Sequence, residues 1–244
     1  MAQRYNSASR LVVIINSFLT FSNNSNVIDC WGTVFGIPSE TGFSRAYLIA
    51  EKLSALFEEV KKMECALREV GYEEELYIQP INVAKRAFSP EFLPTGTAQI
   101  KSWLENDVKV QFRYMVAALP SDSQAFRDED LLQLNELIAQ LQEIVQTSTA
   151  HPAVLNVVRN HLALLLRALA MYPISGPSAL TEALKLMAVD LYENRDALGE
   201  FENSEEVGLL KRTWQHAKNM AATTTTSDVI TLATLGWETV KAIV

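Results

Sequence analysis

One histidine, His161, has a position from which it could do chemistry, because it falls on the apolar side of a predicted helix. At about 100° per residue it lies between Val154, Leu165 and Ala168, away from the polar strip of that helix. A buried imidazole can act as a general base or as a metal ligand. We favour the alternative, a core histidine that hydrogen-bonds to a neighbouring helix, because buried polar groups normally find partners.

The residues that usually bind metals or act as nucleophiles are not spaced for those roles. The three histidines form no His-x-x-x-His or Glu-x-x-His pair, and Cys30 and Cys65 are far apart in the chain. Cys65 is expected on the solvent side of its helix without an activating base, and Cys30 is expected in the core. We therefore predict no metal site, no bound cofactor and no reactive cysteine.

The acidic residues are numerous, but adjacent carboxylates point in different directions on a helix. Glu58 with Glu59 and the run Asp128 to Asp130 are of this kind, and most such groups are expected on solvated faces or in first helical turns. Neither a Gly-x-Ser-x-Gly nucleophile motif nor a glycine-rich phosphate loop occurs. The sequence therefore predicts no catalytic residue, although an enzyme with an unrecognised site stays an alternative.

The C-terminal segment, residues 228 to 244, carries the clearest sign of a binding surface. Its polar face holds one lysine and one glutamate, which gives no attraction to anionic lipid, and it is shorter than the ~20 apolar residues needed to span a bilayer. We therefore expect it to dock onto protein, with membrane binding as the alternative. The predicted interaction helix presents a continuous apolar stripe: Val229, Ile230, Trp237, Val240 and Ile243.

Composition limits the kinds of partner. The chain has 244 residues, a formal net charge of −8 and a pI near 5.0, and its basic residues are scattered, so we expect no nucleic-acid binding. Two cysteines and no secretory signal indicate a reducing compartment, and we expect a cytoplasmic protein of bacterial or similar origin. With 48% hydrophobic residues the chain can bury a substantial core.

Helical periodicity dominates the second half of the chain. Residues 128 to 147 carry an apolar stripe over five turns behind an acidic first turn. Further helices are predicted over 152 to 172, where Pro173 and Gly176 end the pattern, and over 178 to 194. Another runs from a cap at Asn203 to about 220, and a last one follows Ser227. The stripe of the first helix consists of Leu131, Leu134, Ile138, Leu141 and Val145, widened by Leu137 and Ile144.

The first half predicts shorter helices over residues 9 to 21 and 27 to 35, and a long one over 44 to 70. Residues 71 to 96 contain three prolines and are predicted to be an irregular linker with one short helix near 83 to 88. We place a domain boundary there, with an N-terminal helical region at 1 to 96 and a C-terminal bundle at 97 to 244.

Residues 108 to 116 fit two periodicities. Apolar and polar residues alternate as in a strand, which would pair with residues 76 to 83, but the same residues also continue a helical stripe from Ile100 and Trp103. We favour the helix, because a lone strand has no obvious partner.

Together these patterns predict an all-α protein of about eight or nine helices, with a smaller N-terminal helical part packed on a C-terminal bundle. The predicted function is a non-enzymatic protein-interaction or oligomerising scaffold module. A membrane-acting or toxin-like effector that uses residues 228 to 244 is the alternative.

Overall fold

The computed structural model describes residues 5–39, 43–105, 107–121 and 124–223, which are all-helical with no β-strand. A 3-10 turn, Pro90–Phe92, accompanies the α-helices. The eleven α-helices of the described residues are α1 (Ser7–Leu19), α2 (Val27–Val34), α3 (Phe43–Glu69), α4 (Glu74–Ala87), α5 (Thr97–Leu104), α6 (Asp107–Ala118), α7 (Asp128–Thr147), α8 (Pro152–Ser175), α9 (Ser178–Glu193), α10 (Arg195–Glu200) and α11 (Glu205–Ala222).

The described residues fall into two compact units. Unit 1 contains those up to residue 121 together with Pro173–Gly176, and unit 2 contains residues 124–172 and 177–223. The predicted boundary at residue 96 therefore falls inside unit 1, between α4 and α5. The all-α class is confirmed, with more helices than the predicted eight or nine.

An aromatic cluster forms part of the core of unit 1. The Trp31 ring on α2 stacks on Phe18 of α1, with 4.2 Å between ring centroids, and on Phe35, and it meets Phe88 edge-on. Both Phe18 and Trp31 are fully buried. Offset and edge-on aromatic pairs add to the free energy of burial, so this cluster fixes how α1 and α2 pack against the end of α4.

A buried ion pair crosses the same unit. Nη2 of Arg10 on α1 lies 2.9 Å from Oε1 of Glu59 on α3, and both side chains are almost completely buried. Nε of Arg10 also donates to the carbonyl of Ile174 at 3.0 Å. Glu59 is therefore an exception to the solvated face predicted for the Glu58 and Glu59 pair, because an arginine from another helix neutralises it.

Unit 2 is a bundle of α7, α8, α9 and α11 around one apolar core. At one end the Phe126 ring, before α7, stacks on Tyr172 of α8, and the Phe126 backbone N–H donates to the tyrosine hydroxyl at 2.9 Å. At the other end His151, before α8, stacks on Phe201, which follows α10. Consecutive long helices therefore run in opposite directions.

Helix α11 closes the bundle by packing closely against α7 and α9. Near its start, Glu206 accepts a hydrogen bond from Ser148 at the end of α7. Near its end, Nε2 of His216 lies 2.9 Å from the carbonyl oxygen of Asp130 in the first turn of α7. These contacts set α11 antiparallel to α7, as in an up-down-up-down bundle.

Several predicted helices agree with the structure. The range predicted for α7 matches, and the strand alternative for residues 108 to 116 is wrong, because these residues lie in α6. The region predicted as an irregular linker is largely α4, which continues through Pro80. A proline there costs one backbone hydrogen bond. The buried residues Tyr77, Ile81 and Ala84 keep the segment helical against the core.

Candidate functional site

The site that His161 occupies is built by two neighbouring helices of the bundle. Helix α8 carries His161 among Val154, Leu165 and Ala168, all of which are buried, and the imidazole itself is 0% exposed. Helix α9 places Asp190 at the edge of its buried face, so its side chain is 21% exposed. The structure places His161 on the apolar side of its helix, as predicted.

The imidazole and the carboxylate are in close contact. Nε2 of His161 lies 3.0 Å from Oδ2 of Asp190, but the approach is not aligned as a well-formed hydrogen bond. Protonation of the ring makes the contact an ion pair. The other carboxylate oxygen of Asp190 accepts a hydrogen bond from Asn194 Nδ2 at 3.2 Å. The contact therefore links α8 to α9 at the border between the core and the solvent.

The pKa of Asp190 lies below the ordinary value for an aspartate. The polar contact with His161 is the largest cause of this lowering. Partial burial raises the pKa, whereas the charge interaction with His161 and a hydrogen bond from Asn160 lower it further. Asp190 is therefore ionised at neutral pH and faces a ring that solvent does not reach. Within the described residues, Nδ1 of His161 has no hydrogen-bond partner.

This geometry suits a structural contact better than catalysis. A general base must come within hydrogen-bond reach of the proton that it removes, and a ring with no exposed surface meets no substrate while the bundle is closed. Across the part of the chain that the structure describes, no group of three or more His, Cys, Asp or Glu residues is placed to hold a metal ion. In the structure, His161 makes a polar contact between α8 and α9.

Replacing His161 by alanine is expected to lower the free energy of unfolding by about 1 to 3 kcal/mol, because it leaves a cavity and removes the partner of a half-buried carboxylate. Urea unfolding followed by tryptophan fluorescence measures the change. His161→Phe serves as the control, since it fills the space and removes only the polar contact. An unchanged midpoint for His161→Ala would contradict the structural role.

Acid should remove the stabilisation that the ionised Asp190 side chain gives to the fold. A carboxylate whose pKa is lowered on folding stabilises the fold above its unfolded pKa of about 3.9, and this stabilisation is lost as the pH falls through the lower folded value. Wild type and Asp190→Asn should therefore differ in unfolding free energy at pH 7 and converge below about pH 4. Urea titrations across this range test the effect, and a difference that grows on acidification would contradict it.

A second feature of the bundle is the outer face of α9. Leu186, Val189 and Tyr192 are 56%, 57% and 56% exposed, while Leu184, Met187 and Leu191 on the opposite face are buried in the core. Spacings of three residues place the exposed side chains along one ridge of the helix. We call these three residues the α9 ridge. Sequence analysis did not single it out, since apolar residues occur nearly all round this helix.

The other sequence-predicted residues have mixed outcomes. The predicted interaction helix with Val229, Ile230, Trp237, Val240 and Ile243 lies outside the described residues. Cys30 is buried and Cys65 is exposed, as predicted. Sequence analysis missed the Arg10 and Glu59 pair, for which the only sequence signal is a charged residue on the apolar face of α1.

Among the described helices, α8 alone is long and apolar enough to cross a membrane by length and composition. Its most apolar window has a mean hydropathy of 1.3, and 44% of that window is buried. A core helix of a bundle passes the same test, so this finding is weak evidence for a membrane span. Comparison with protein-family models, curated proteins and solved structures gives no match for this chain.

Proposed function

We propose that the chain is a non-enzymatic protein-interaction module that binds through the α9 ridge. One observation carries the proposal: three large apolar side chains stand more than half exposed on consecutive turns of a helix whose opposite face completes a core. Single exposed apolar residues are normal on protein surfaces. A contiguous row offers a partner a larger apolar area than a single side chain does. Covering that area contributes about 25 cal/mol for every Å² of apolar surface.

The composition of the ridge also supports protein binding. Tyrosine is enriched in the centres of protein interfaces, and here Tyr192 lies beside two aliphatic residues. Charged residues flank the row: Arg195 lies over the Tyr192 ring at 4.8 Å, and Lys185 pairs with Glu182 at 2.7 Å. An apolar centre with a polar rim is the usual arrangement of a protein interface.

A comparison within the same bundle shows what distinguishes the ridge. Leu132 on α7 is 63% exposed, but it is the only large apolar side chain of that described helix that is strongly exposed. An isolated leucine offers a partner little area, so we expect it to have no binding role of its own. It is therefore a matched control for the α9 ridge.

Site-specific photocrosslinking in the native host tests the proposal. A photoreactive amino acid at Val189 should give covalent adducts with protein, whereas the same group at Leu132 should give none. Adding Leu186→Glu should abolish the adducts at position 189 without changing the melting temperature, because a charge on an exposed site disturbs the binding surface and not the core. Equal adducts at both positions, or adducts insensitive to Leu186→Glu, would contradict the proposal.

A further inference from the structure

We infer that the partner of the α9 ridge is a second copy of this chain, packed antiparallel about a two-fold axis beside Val189. The inference rests on the proposed function, since it names the occupant of the same surface. A two-fold interface uses one patch on both copies, so the patch must be complementary to itself. The α9 ridge meets this requirement in spacing and in charge.

The spacing of the ridge is symmetric. Leu186 and Tyr192 lie three residues before and after Val189, about 4.5 Å along the helix axis in each direction. In an antiparallel pair centred on Val189, the two valines meet at the axis. Leu186 of each copy then lies at the same height as Tyr192 of the other, so the leucine packs beside the aromatic ring.

The charges next to the ridge are also complementary. Lys185 and Glu193 lie four residues before and after Val189, so the antiparallel arrangement brings Lys185 of one copy level with Glu193 of the other, twice in the dimer. A parallel arrangement would place like charges at the same height. The pattern therefore selects the antiparallel orientation, because opposite charges across an interface fix its register.

Helix α9 ends at Glu193, so no residue of α9 lies opposite Glu182 of the other copy. Glu182 already has a cation beside it within its own chain, because Nζ of Lys185 lies 2.7 Å from its Oε1.

Three side chains from each copy make a small interface by comparison with the 1,200–2,000 Å² typical of stable complexes. We therefore expect a weak dimer, with a dissociation constant in the micromolar range or above. Sedimentation equilibrium of the full chain over a wide concentration range measures this constant. A monomer at every concentration would overturn the inference.

Charge reversal tests the register. Lys185→Glu should raise the dissociation constant by about tenfold, because it places two acidic residues at the same height in each half of the interface. The double variant Lys185→Glu with Glu193→Lys exchanges the charges and should restore the constant to near the wild-type value. Failure of the double variant to rescue dimerisation would overturn the antiparallel register. Circular dichroism confirms that each variant is folded.

Disulfide trapping tests the axis. In a Cys65→Ser background, which removes the exposed native thiol, Val189→Cys should form an intermolecular disulfide on oxidation, because a residue on the axis meets its own copy. Leu132→Cys, equally accessible on the same bundle, should stay monomeric. Equal trapping of both variants would show random collision and overturn the inference.

The two proposals fail in different ways. A monomeric chain that still gives adducts to another protein from position 189 would overturn the dimer and leave the interaction module standing. Adducts from position 189 to the chain itself, together with the concentration-dependent dimer, support both. Absence of adducts and of dimer would overturn both.

Discussion

Replacing Arg10 by alanine is expected to lower the free energy of unfolding by about 3 to 5 kcal/mol, the largest effect that we expect for a single substitution in this chain. The guanidinium neutralises Glu59, whose side chain is 3% exposed, and also donates to the carbonyl of Ile174. Without it, Lys62 remains near the carboxylate, with its Nζ 3.7 Å from Oε2, but the Lys62 side chain is 61% exposed. An uncompensated buried charge is what makes the loss large.

The measurement is urea unfolding combined with hydrogen exchange of the α1 and α3 backbone, which localises the loss to unit 1. Lys61→Ala is the matched control, because Lys61 pairs with Glu58 on the same helix at 2.8 Å but both side chains are about half exposed. Its expected cost is below about 1 kcal/mol.

A second comparison separates charge from packing. Arg10→Met together with Glu59→Leu removes both charges and keeps most of the volume, so we expect this double variant to be far more stable than Arg10→Ala alone. If the double variant were as unstable as the single one, packing rather than ion pairing would account for the effect.

Helices with strong local signals were predictable from the sequence. Helix α7 has an acidic first turn and an unbroken apolar stripe, and these features depend only on residues within the helix. The sequence predicts helix α4 only in part, as a short helix near residues 83 to 88, because Pro80 favours a helix end. Burial of Tyr77 and Ile81 against the rest of unit 1 extends the helix through this proline. Rules based on local sequence fail where a segment packs against residues that are distant in the sequence.

The candidate site shows the same division. The buried side of α8 could be read from its own periodicity, and this placed His161 in the core. Its partner Asp190 could not be predicted, because the register between α8 and α9 is a tertiary property. Glu59 and Ile174, which the Arg10 guanidinium contacts, are 49 and 164 residues away, beyond the reach of any helical period.

Gly176 is expected to tolerate alanine poorly, at a cost of about 2 to 4 kcal/mol. Its φ of +62° ends α8 in a left-handed conformation that favours glycine. A Cβ at this position would also lie 3.0 Å from Nη1 of Arg10. Glu59 and the carbonyl of Ile174 hold that guanidinium in place, so the arginine has little freedom to move away.

Gly71→Ala separates the backbone effect from the steric one. Gly71 has a φ of +70°, but nothing lies within 4 Å of the position that a Cβ would take. Replacing it by alanine should lower the free energy of unfolding only by the strain of the left-handed conformation, about 1 to 2 kcal/mol. In the Arg10→Met, Glu59→Leu background, where no guanidinium is held against the turn, the cost of Gly176→Ala should fall towards that of Gly71→Ala. Costs of Gly176→Ala that were equal in both backgrounds would show that the turn and the buried ion pair are independent, since uncoupled sites add.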